Sequence, residues 1–172
     1  AANELAQFHR DYDGLTSEVV IADKIFNEFS SGQYNATAIR NFIKMFYDRG
    51  NTLKYVLLFG DGSYDNKNIK AGGFNFLPTF QSDNSLNPIA SFITDDYFVI
   101  LDNGETVYNG AVDLGIGRLP VSTRYQAEVV VSKIKNYHSE KAFGDWRNVL
   151  SFIADDEDGN LHLTDSENLS NM

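Results

Sequence analysis

Residues 54–59 read Lys-Tyr-Val-Leu-Leu-Phe, and Gly60-Asp61-Gly62-Ser63 follows them directly. A run this apolar, ended by a glycine-rich turn, is typical of a strand that is buried on both faces of a parallel sheet. An amphipathic helix is predicted just before it, because apolar residues recur at helical spacing from about Asn35 to Arg49 and Gly50 then provides a stop signal. A helix followed by a buried strand is the repeating unit of an α/β fold.

The same alternation of patterns extends along the chain in both directions. Helices are predicted to start at Asn3, Asp23 and Ser122, and further strands are predicted at Ser17–Ala22, Asp96–Leu101, Asp113–Gly117 and Asn148–Ala154. We therefore predict a three-layer α/β/α fold with a mainly parallel sheet. Because the chain opens on a helix with no strand ahead of it, we also expect that a first strand has been cut off.

Composition limits the functions that this chain can have. Its 172 residues suit one ordinary domain, and 42% hydrophobic residues exclude intrinsic disorder. The net charge of −10 argues against nucleic acid and anionic membrane surfaces as partners, since both require a basic surface. No apolar run is long enough for a membrane-spanning helix. With no cysteine, these residues contain no disulfide, no thiolate metal site and no cysteine nucleophile.

The segment after the buried strand, residues 60–94, is the first candidate site. It has little periodicity and is punctuated by Gly72-Gly73, Pro78 and Pro88. A loop of that length inside a compact domain is usually functional. Glycines after a strand could cradle a phosphate, but no lysine follows and no helix starts there, as a P-loop would require. The favoured alternative is a tight turn in which Asp61 accepts hydrogen bonds from nearby backbone amides.

The second candidate site is the acidic loop Asp155-Asp156-Glu157-Asp158-Gly159, after the predicted strand that ends at Ala154. Residues 155–167 contain six acids and no lysine or arginine. Such a cluster binds a cation, meets a basic partner or faces water. An EF-hand is excluded because its first ligand position would fall on Ala154, so a looser calcium site using Asp155, Asp156 and Asp158 and a solvated loop remain open. One histidine nearby, His162, is a weak indication of zinc.

Seven segments, taken together and in order, carry a family resemblance across nearly the whole chain. They are residues 23–32 (DKIFNEFSSG), 37–43 (TAIRNFI), 55–62 (YVLLFGDG), 94–98 (TDDYF), 113–120 (DLGIGRLP), 145–148 (DWRN) and 152–159 (FIADDEDG). The chain resembles the catalytic domain of gingipain-type cysteine peptidases, and within that family it is most similar to the sortases of the type IX secretion system in Bacteroidetes. Members have two caspase-like α/β subdomains, and the catalytic His and Cys both lie in the second.

The resemblance implies a division of this chain and one catalytic residue in it. Residues 1–145 would be the first gingipain-like subdomain, and 146–172 the opening strand and acidic loop of a truncated second, catalytic subdomain. Glu157 matches the glutamate that orients the downstream catalytic His, with Asp156 as the alternative if the alignment slips by one. A carboxylate that fixes the imidazole and stabilises its cation suits that role. Calcium binding is a further possibility, without assigned ligands.

The resemblance also implies a function for the full-length protein. It would be a cysteine endopeptidase and sortase that cleaves C-terminal sorting domains from type IX secreted cargo at the outer membrane and cell surface of a Gram-negative bacterium. Its partners would be that cargo and the remainder of its own catalytic domain, and the 172 residues alone would be inactive. One alternative is a non-catalytic gingipain-like module that binds proteins in a secretion complex, and another is an α/β domain that binds a small ligand.

Overall fold

The structure is a computed structural model that describes residues 1–50, 52–70, 75–83, 86–87, 89–155 and 157–172. The described residues divide into two compact units, Ala1–Ile134 and Lys135–Met172. The predicted boundary between subdomains at residue 145 stays a prediction. Of the features predicted from sequence, Gly72-Gly73, Pro88 and Asp156 lie outside the described residues.

Three helices open the first unit: α1 (Ala2–Tyr12), α2 (Ala22–Ser30) and α3 (Ala36–Asp48). The predicted helix α3 is confirmed, and its start has a local cause. The side chain of Asn35 accepts a hydrogen bond from the backbone N–H of Thr37 at 2.8 Å, which satisfies one of the unpaired donors at the helix N-terminus. Ile39 and Ile43 lie one turn apart on the buried face of α3.

The predicted parallel strand pairing is confirmed. Strand β1 (Tyr55–Phe59) pairs in parallel with β4 (Gly115–Leu119), so that Tyr55 lies opposite Gly115 and Phe59 opposite Leu119. Strands β2 (Phe80–Gln81) and β3 (Ile93–Thr94) form a short antiparallel pair within the intervening segment. Helix α4 (Arg124–Tyr137) follows β4. Since the described residues form only these two two-stranded sheets, the three-layer arrangement is not confirmed.

The core of the first unit lies between α2, α3 and strand β1. Its buried residues include Phe26, Ile39, Leu58, Phe98 and Leu101. Each fully buried side chain of this size contributes roughly 1.5–3 kcal/mol relative to an exposed one. This packing positions the carboxyl ends of β1 and β4, where the first candidate site lies.

The predicted strand at Ser17–Ala22 is wrong. Residues 14–21 are irregular, and α2 already begins at Ala22, so that Asp23 lies in its first turn and Ile21 takes the cap position. The β-branched side chains of Val19, Val20 and Ile21 remain exposed. A preference of β-branched residues for strands reflects packing against neighbouring strands, and no described strand pairs with this segment.

The predicted strand at Asp96–Leu101 is also wrong, although the segment is buried. Asp96–Phe98 is a short 3₁₀ turn, and Val99 to Leu101 continue as irregular backbone inside the core. The carbonyl of Asp96 accepts hydrogen bonds from the N–H groups of Val99 and Ile100, at 2.9 and 3.1 Å. A short apolar run is compatible with any buried backbone, so its composition could not distinguish a strand from a turn.

Helix α4 starts one residue later than predicted from Ser122. Thr123 caps it: its hydroxyl accepts a hydrogen bond from the Gln126 N–H at 3.2 Å, and the Gln126 side chain accepts one from the Thr123 N–H at 3.1 Å. This reciprocal arrangement is a capping box, with glutamine in the third position of the helix.

The second unit contains two 3₁₀ turns, Glu140–Ala142 and Asp145–Asn148, and helix α5 (Leu161–Ser170). The predicted strand at Asn148–Ala154 is wrong: residues 149–155 are irregular, and the side chains of Leu150 and Ile153 are 82% and 96% exposed. No described strand lies in this unit to pair with the segment, so an apolar run cannot form a ladder there. Helix α5 has no buried residue.

Across the described residues, no helix is both long and apolar enough to cross a bilayer.

Candidate functional site

The first candidate site lies where β1 and β4 end. Asp61 follows β1, and Ser122 lies just beyond β4; the Ser122 hydroxyl donates to the Asp61 carboxylate at 2.9 Å. The other carboxylate oxygen accepts a hydrogen bond from the Gly62 N–H, also at 2.9 Å. One oxygen therefore bonds the next backbone amide, as predicted, whereas the other pairs with a side chain 61 positions away. Residues 61–63 are irregular, so the tight turn itself is not confirmed. A carboxylate at this position would also repel a phosphate.

The backbone of Asp61 joins this turn to the loop that follows. Its carbonyl accepts hydrogen bonds from the N–H groups of Phe76 and Leu77, at 2.9 and 3.1 Å. The two chain segments approach so closely that a Cβ at Gly62 would lie 2.3 Å from the Leu77 carbonyl oxygen. Glycine at position 62 is therefore required by the close approach of the two backbones.

Arg118, near the carboxyl end of β4, anchors the long segment of residues 60–94 to the sheet. Its guanidinium makes a bidentate ion pair with Asp95, with N···O distances of 2.8 and 2.7 Å. It also donates to the carbonyl oxygens of Gly60 at 3.0 Å and Pro78 at 2.9 Å. One side chain thus fixes both ends and the middle of the segment that joins β1 to Asp95.

Sequence reasoning did not identify this ion pair. Asp95 and Arg118 belong to two separate segments of the family resemblance, residues 94–98 and 113–120. The chemical types of the two side chains were visible, but their pairing was not, because they lie 23 positions apart.

Asp113, just before β4, accepts hydrogen bonds from the backbone of the buried segment 99–101 and from α3. One carboxylate oxygen accepts a hydrogen bond from the Leu101 N–H at 2.7 Å, and the other accepts one from the Tyr47 hydroxyl at 3.2 Å. The Tyr47 hydroxyl also lies 3.0 Å from a carboxylate oxygen of Asp102. The hydrogen bond to Asp102 is the main cause that raises the pKa of Tyr47 to about 12, with burial and the charge of Asp113 acting in the same direction.

Stability is expected to fall at alkaline pH because of Tyr47. Its pKa is about 12 in the folded chain and about 10 in the unfolded chain, so the folded state retains this proton more strongly. The stabilisation is complete below about pH 10 and is lost as the pH rises from about 10 to about 12. Urea unfolding at pH 8 and at pH 10.5 should show this fall, and Tyr47→Phe should reduce it.

Tyr108→Phe removes an exposed hydroxyl and serves as the matched control for that measurement. Part of the fall in stability between pH 8 and pH 10.5 should remain in Tyr47→Phe, since burial also raises the pKa of Tyr34 to about 12. If the free energy of unfolding falls equally with pH in the wild type and the Tyr47→Phe variant, the fall does not come from Tyr47.

The acidic loop forms the second candidate site, in the second unit. Both oxygens of the Asp158 carboxylate accept backbone hydrogen bonds at the start of α5, from Leu161 at 3.0 Å and His162 at 3.1 Å. Nδ1 of His162 lies 2.6 Å from Asp158 and 3.6 Å from Asp155. The structure thus places Asp155 and Asp158, two of the predicted metal ligands, beside His162, which the sequence indicated only weakly as a ligand.

These described residues do not fit calcium well. Calcium takes six to eight oxygen ligands, whereas the cluster offers two carboxylates and an imidazole, all on exposed side chains. The Asp158 carboxylate already accepts two backbone hydrogen bonds at the start of α5, and Asp156 lies outside the described residues. The Asp158 carboxylate is therefore engaged in local hydrogen bonds, and a calcium site using Asp155, Asp156 and Asp158 stays a prediction.

Glu157 lies in the turn that precedes α5, and its side chain is exposed. The strand expected to present it at a sheet edge is not formed in the second unit. Its catalytic role, and that of the alternative Asp156, thus stays a prediction.

Comparison with known proteins defines the class to which this chain belongs. The family model of peptidase family C25 matches residues 1–172. The chain is therefore a member of the gingipain family of cysteine peptidases, and the predicted family resemblance is confirmed. No curated protein matches the chain.

Among solved structures, the chain is similar to the crystal structure of dimeric latent PorU from Porphyromonas gingivalis. The two are 35% identical and superpose with a TM-score of 0.71. The similarity covers 94% of this chain but only 16% of the PorU chain. The chain thus corresponds to a small part of the length of that protein.

Proposed function

We propose that this chain is part of a PorU-like sortase, a cysteine endopeptidase that removes C-terminal sorting domains from cargo of a type IX secretion system. The protein would act at the outer membrane and cell surface. Its partners would be the cargo and the remainder of its catalytic domain, which would supply the His and Cys.

The observation that carries this proposal is the similarity to PorU over 94% of the chain at 35% identity. The match to family C25 over all 172 residues supports the same class of enzyme independently. The chemistry requires a thiolate that attacks the scissile carbonyl, and none of these 172 residues is a cysteine. Within the full-length enzyme, these residues would form the first subdomain and the start of the second. They would also contribute the carboxylate of Glu157, which would orient the catalytic His.

The proposal is tested with the proposed full-length protein that contains these residues, which we call the parent, and with one cargo protein that carries its sorting domain. Mass spectrometry of the products should show a single cut ahead of that domain, and the cut should be abolished when the parent's catalytic cysteine is replaced by alanine. A parent that associates with secretion proteins but cleaves no cargo would instead support the non-catalytic module.

The purified 172-residue chain is expected to have no peptidase activity. Without a thiol it can form no acyl-enzyme, so a fluorogenic peptide substrate should be hydrolysed at the rate of the buffer blank. A biotinylated, thiol-directed peptidase inhibitor should label the parent once per chain and leave the 172-residue chain unlabelled, as read by intact-mass spectrometry. Stoichiometric labelling of the short chain would contradict the proposed chemistry.

A further inference from the structure

A groove of about 330 Å³ lies in the first unit, and part of its lining comes from the long segment of residues 60–94. Three stretches of chain form it: residues 34–37 at the start of α3, residues 78–81, which include β2, and Tyr97. Asn66 completes the lining.

The aromatic side of the groove is held in place from several directions. The rings of Phe80 and Tyr97 stack with their centroids 4.6 Å apart. The hydroxyl of Tyr97 lies 2.8 Å from that of Thr37, and the Arg40 guanidinium lies 5.5 Å from the centre of the Tyr97 ring. Arg40 is itself fixed by donating to the Ile100 carbonyl. The aromatic surface is therefore formed before any ligand binds.

Asn66 and Thr79, which also line the groove, are held by hydrogen bonds to each other. The side chain of Asn66 donates to the Thr79 carbonyl at 3.1 Å and accepts from the Thr79 N–H at 3.3 Å. The neighbouring carbonyl of Pro78 accepts a hydrogen bond from Arg118, near the carboxyl end of β4. The groove thus lies on the side of the parallel pair where α/β sheets bind their ligands.

Two polar groups in the groove are available to a ligand. Within the described part of the chain, neither the Tyr34 hydroxyl nor the Gln81 amide makes a hydrogen bond. Burial raises the pKa of Tyr34 to about 12, so its hydroxyl remains a donor at neutral pH. Gln81 lies on β2, which pairs with no described strand other than β3.

The chemistry of the lining selects among ligands. None of the described side chains that line the groove carries a charge, and Arg118, whose charge acts on Tyr34, is already paired with Asp95. A phosphate, a metal ion or a charged side chain would therefore lose its hydration without a free ion-pairing partner in the lining. Flat aromatic rings beside amide and hydroxyl groups suit a peptide, whose side chains pack on the rings while its backbone bonds the polar groups.

We propose that this groove binds an extended, uncharged segment of the protein substrate, with one aromatic or aliphatic side chain against Phe80 and Tyr97. The proposal rests on the proposed function only for the source of the peptide. It assigns to the first unit a direct part in substrate recognition, separate from bond cleavage.

The experiment titrates the 172-residue chain with an acetylated and amidated heptapeptide, Gly-Thr-Val-Tyr-Val-Thr-Gly, followed by ¹⁵N NMR. Saturable shifts should centre on the amides of residues 34–37, 66 and 79–81. The variants Tyr34→Phe and Gln81→Leu each remove one hydrogen bond to the ligand and should weaken binding about two- to tenfold. Tyr125→Phe, on the exposed surface of α4, is the matched control and should leave the affinity unchanged.

Three results would overturn the proposal. They are the absence of saturable shifts at these residues, equal binding of the peptide with glutamate at its centre, and equal affinity for free tyrosinamide. The wild-type and variant spectra also report folding, so a folded Tyr34→Phe variant with unchanged affinity would count against it. Because no cleavage is measured, failure here leaves the proposed peptidase function to its own test.

Discussion

Glutamine in place of Glu157 is expected to slow cleavage by the parent peptidase about 10- to 10³-fold while leaving its fold intact. In a Ser-His-Asp triad, replacing the carboxylate by an amide lowers turnover by roughly 10⁴-fold, because the imidazole loses its preferred tautomer and the partner that stabilises its cation. A Cys–His pair is already an ion pair and depends less on its third member, so we expect a smaller effect. The measurement is kcat for cargo cleavage.

The neighbouring acids supply the controls for this prediction. Asp155→Asn should cost much less, since Asp155 has no expected contact with the catalytic imidazole. A carboxylate that orients the His should also shift the acidic limb of the pH–rate profile when it is removed, which a purely structural residue would not do. If Asp156→Asn is the slow variant and Glu157→Gln is nearly normal, the role belongs to Asp156. If both cleave normally, neither residue is catalytic.

Arg118→Met is expected to lower the stability of the first unit by about 3 kcal/mol. The side chains of Arg118 and Asp95 are only 11% and 25% exposed, so removing the guanidinium leaves a largely buried carboxylate without its partner. The carbonyls of Gly60 and Pro78 lose a donor at the same time. For a chain of this length, that loss corresponds to a fall in Tm of roughly 6–12 °C.

Arg124→Met is the matched control, because it makes the same replacement in an ion pair that lies in solvent. Arg124 is 92% exposed beside Glu128, and its removal should leave Tm unchanged within error. Asp95→Asn added to Arg118→Met should cost less than the two separate losses combined, since the same interaction is removed twice. Similar Tm values for Arg118→Met and the control would show that the ion pair contributes little.

Several of the features predicted correctly from the sequence have local causes. Helix α3 has its cap at Asn35 and its apolar spacing within 14 residues, and both are visible without knowledge of the fold. The hydrogen bond from the Gly62 amide to the Asp61 side chain was predicted because an aspartate can bond the next backbone amide whatever the surrounding fold. The gingipain family was recognised because seven local segments occur in the right order.

Features that depend on distant partners were decided only by the tertiary structure. The runs at 17–22 and 148–154 have strand-like composition, but a strand forms only when another strand supplies its hydrogen bonds, and none of the described residues does so for either run. The run at 96–101 is buried as irregular backbone because Asp113 accepts the N–H of Leu101 across the core. Arg118 and Asp95 are two ordinary charged residues in sequence, and only folding places the guanidinium where both carboxylate oxygens can accept its hydrogen bonds.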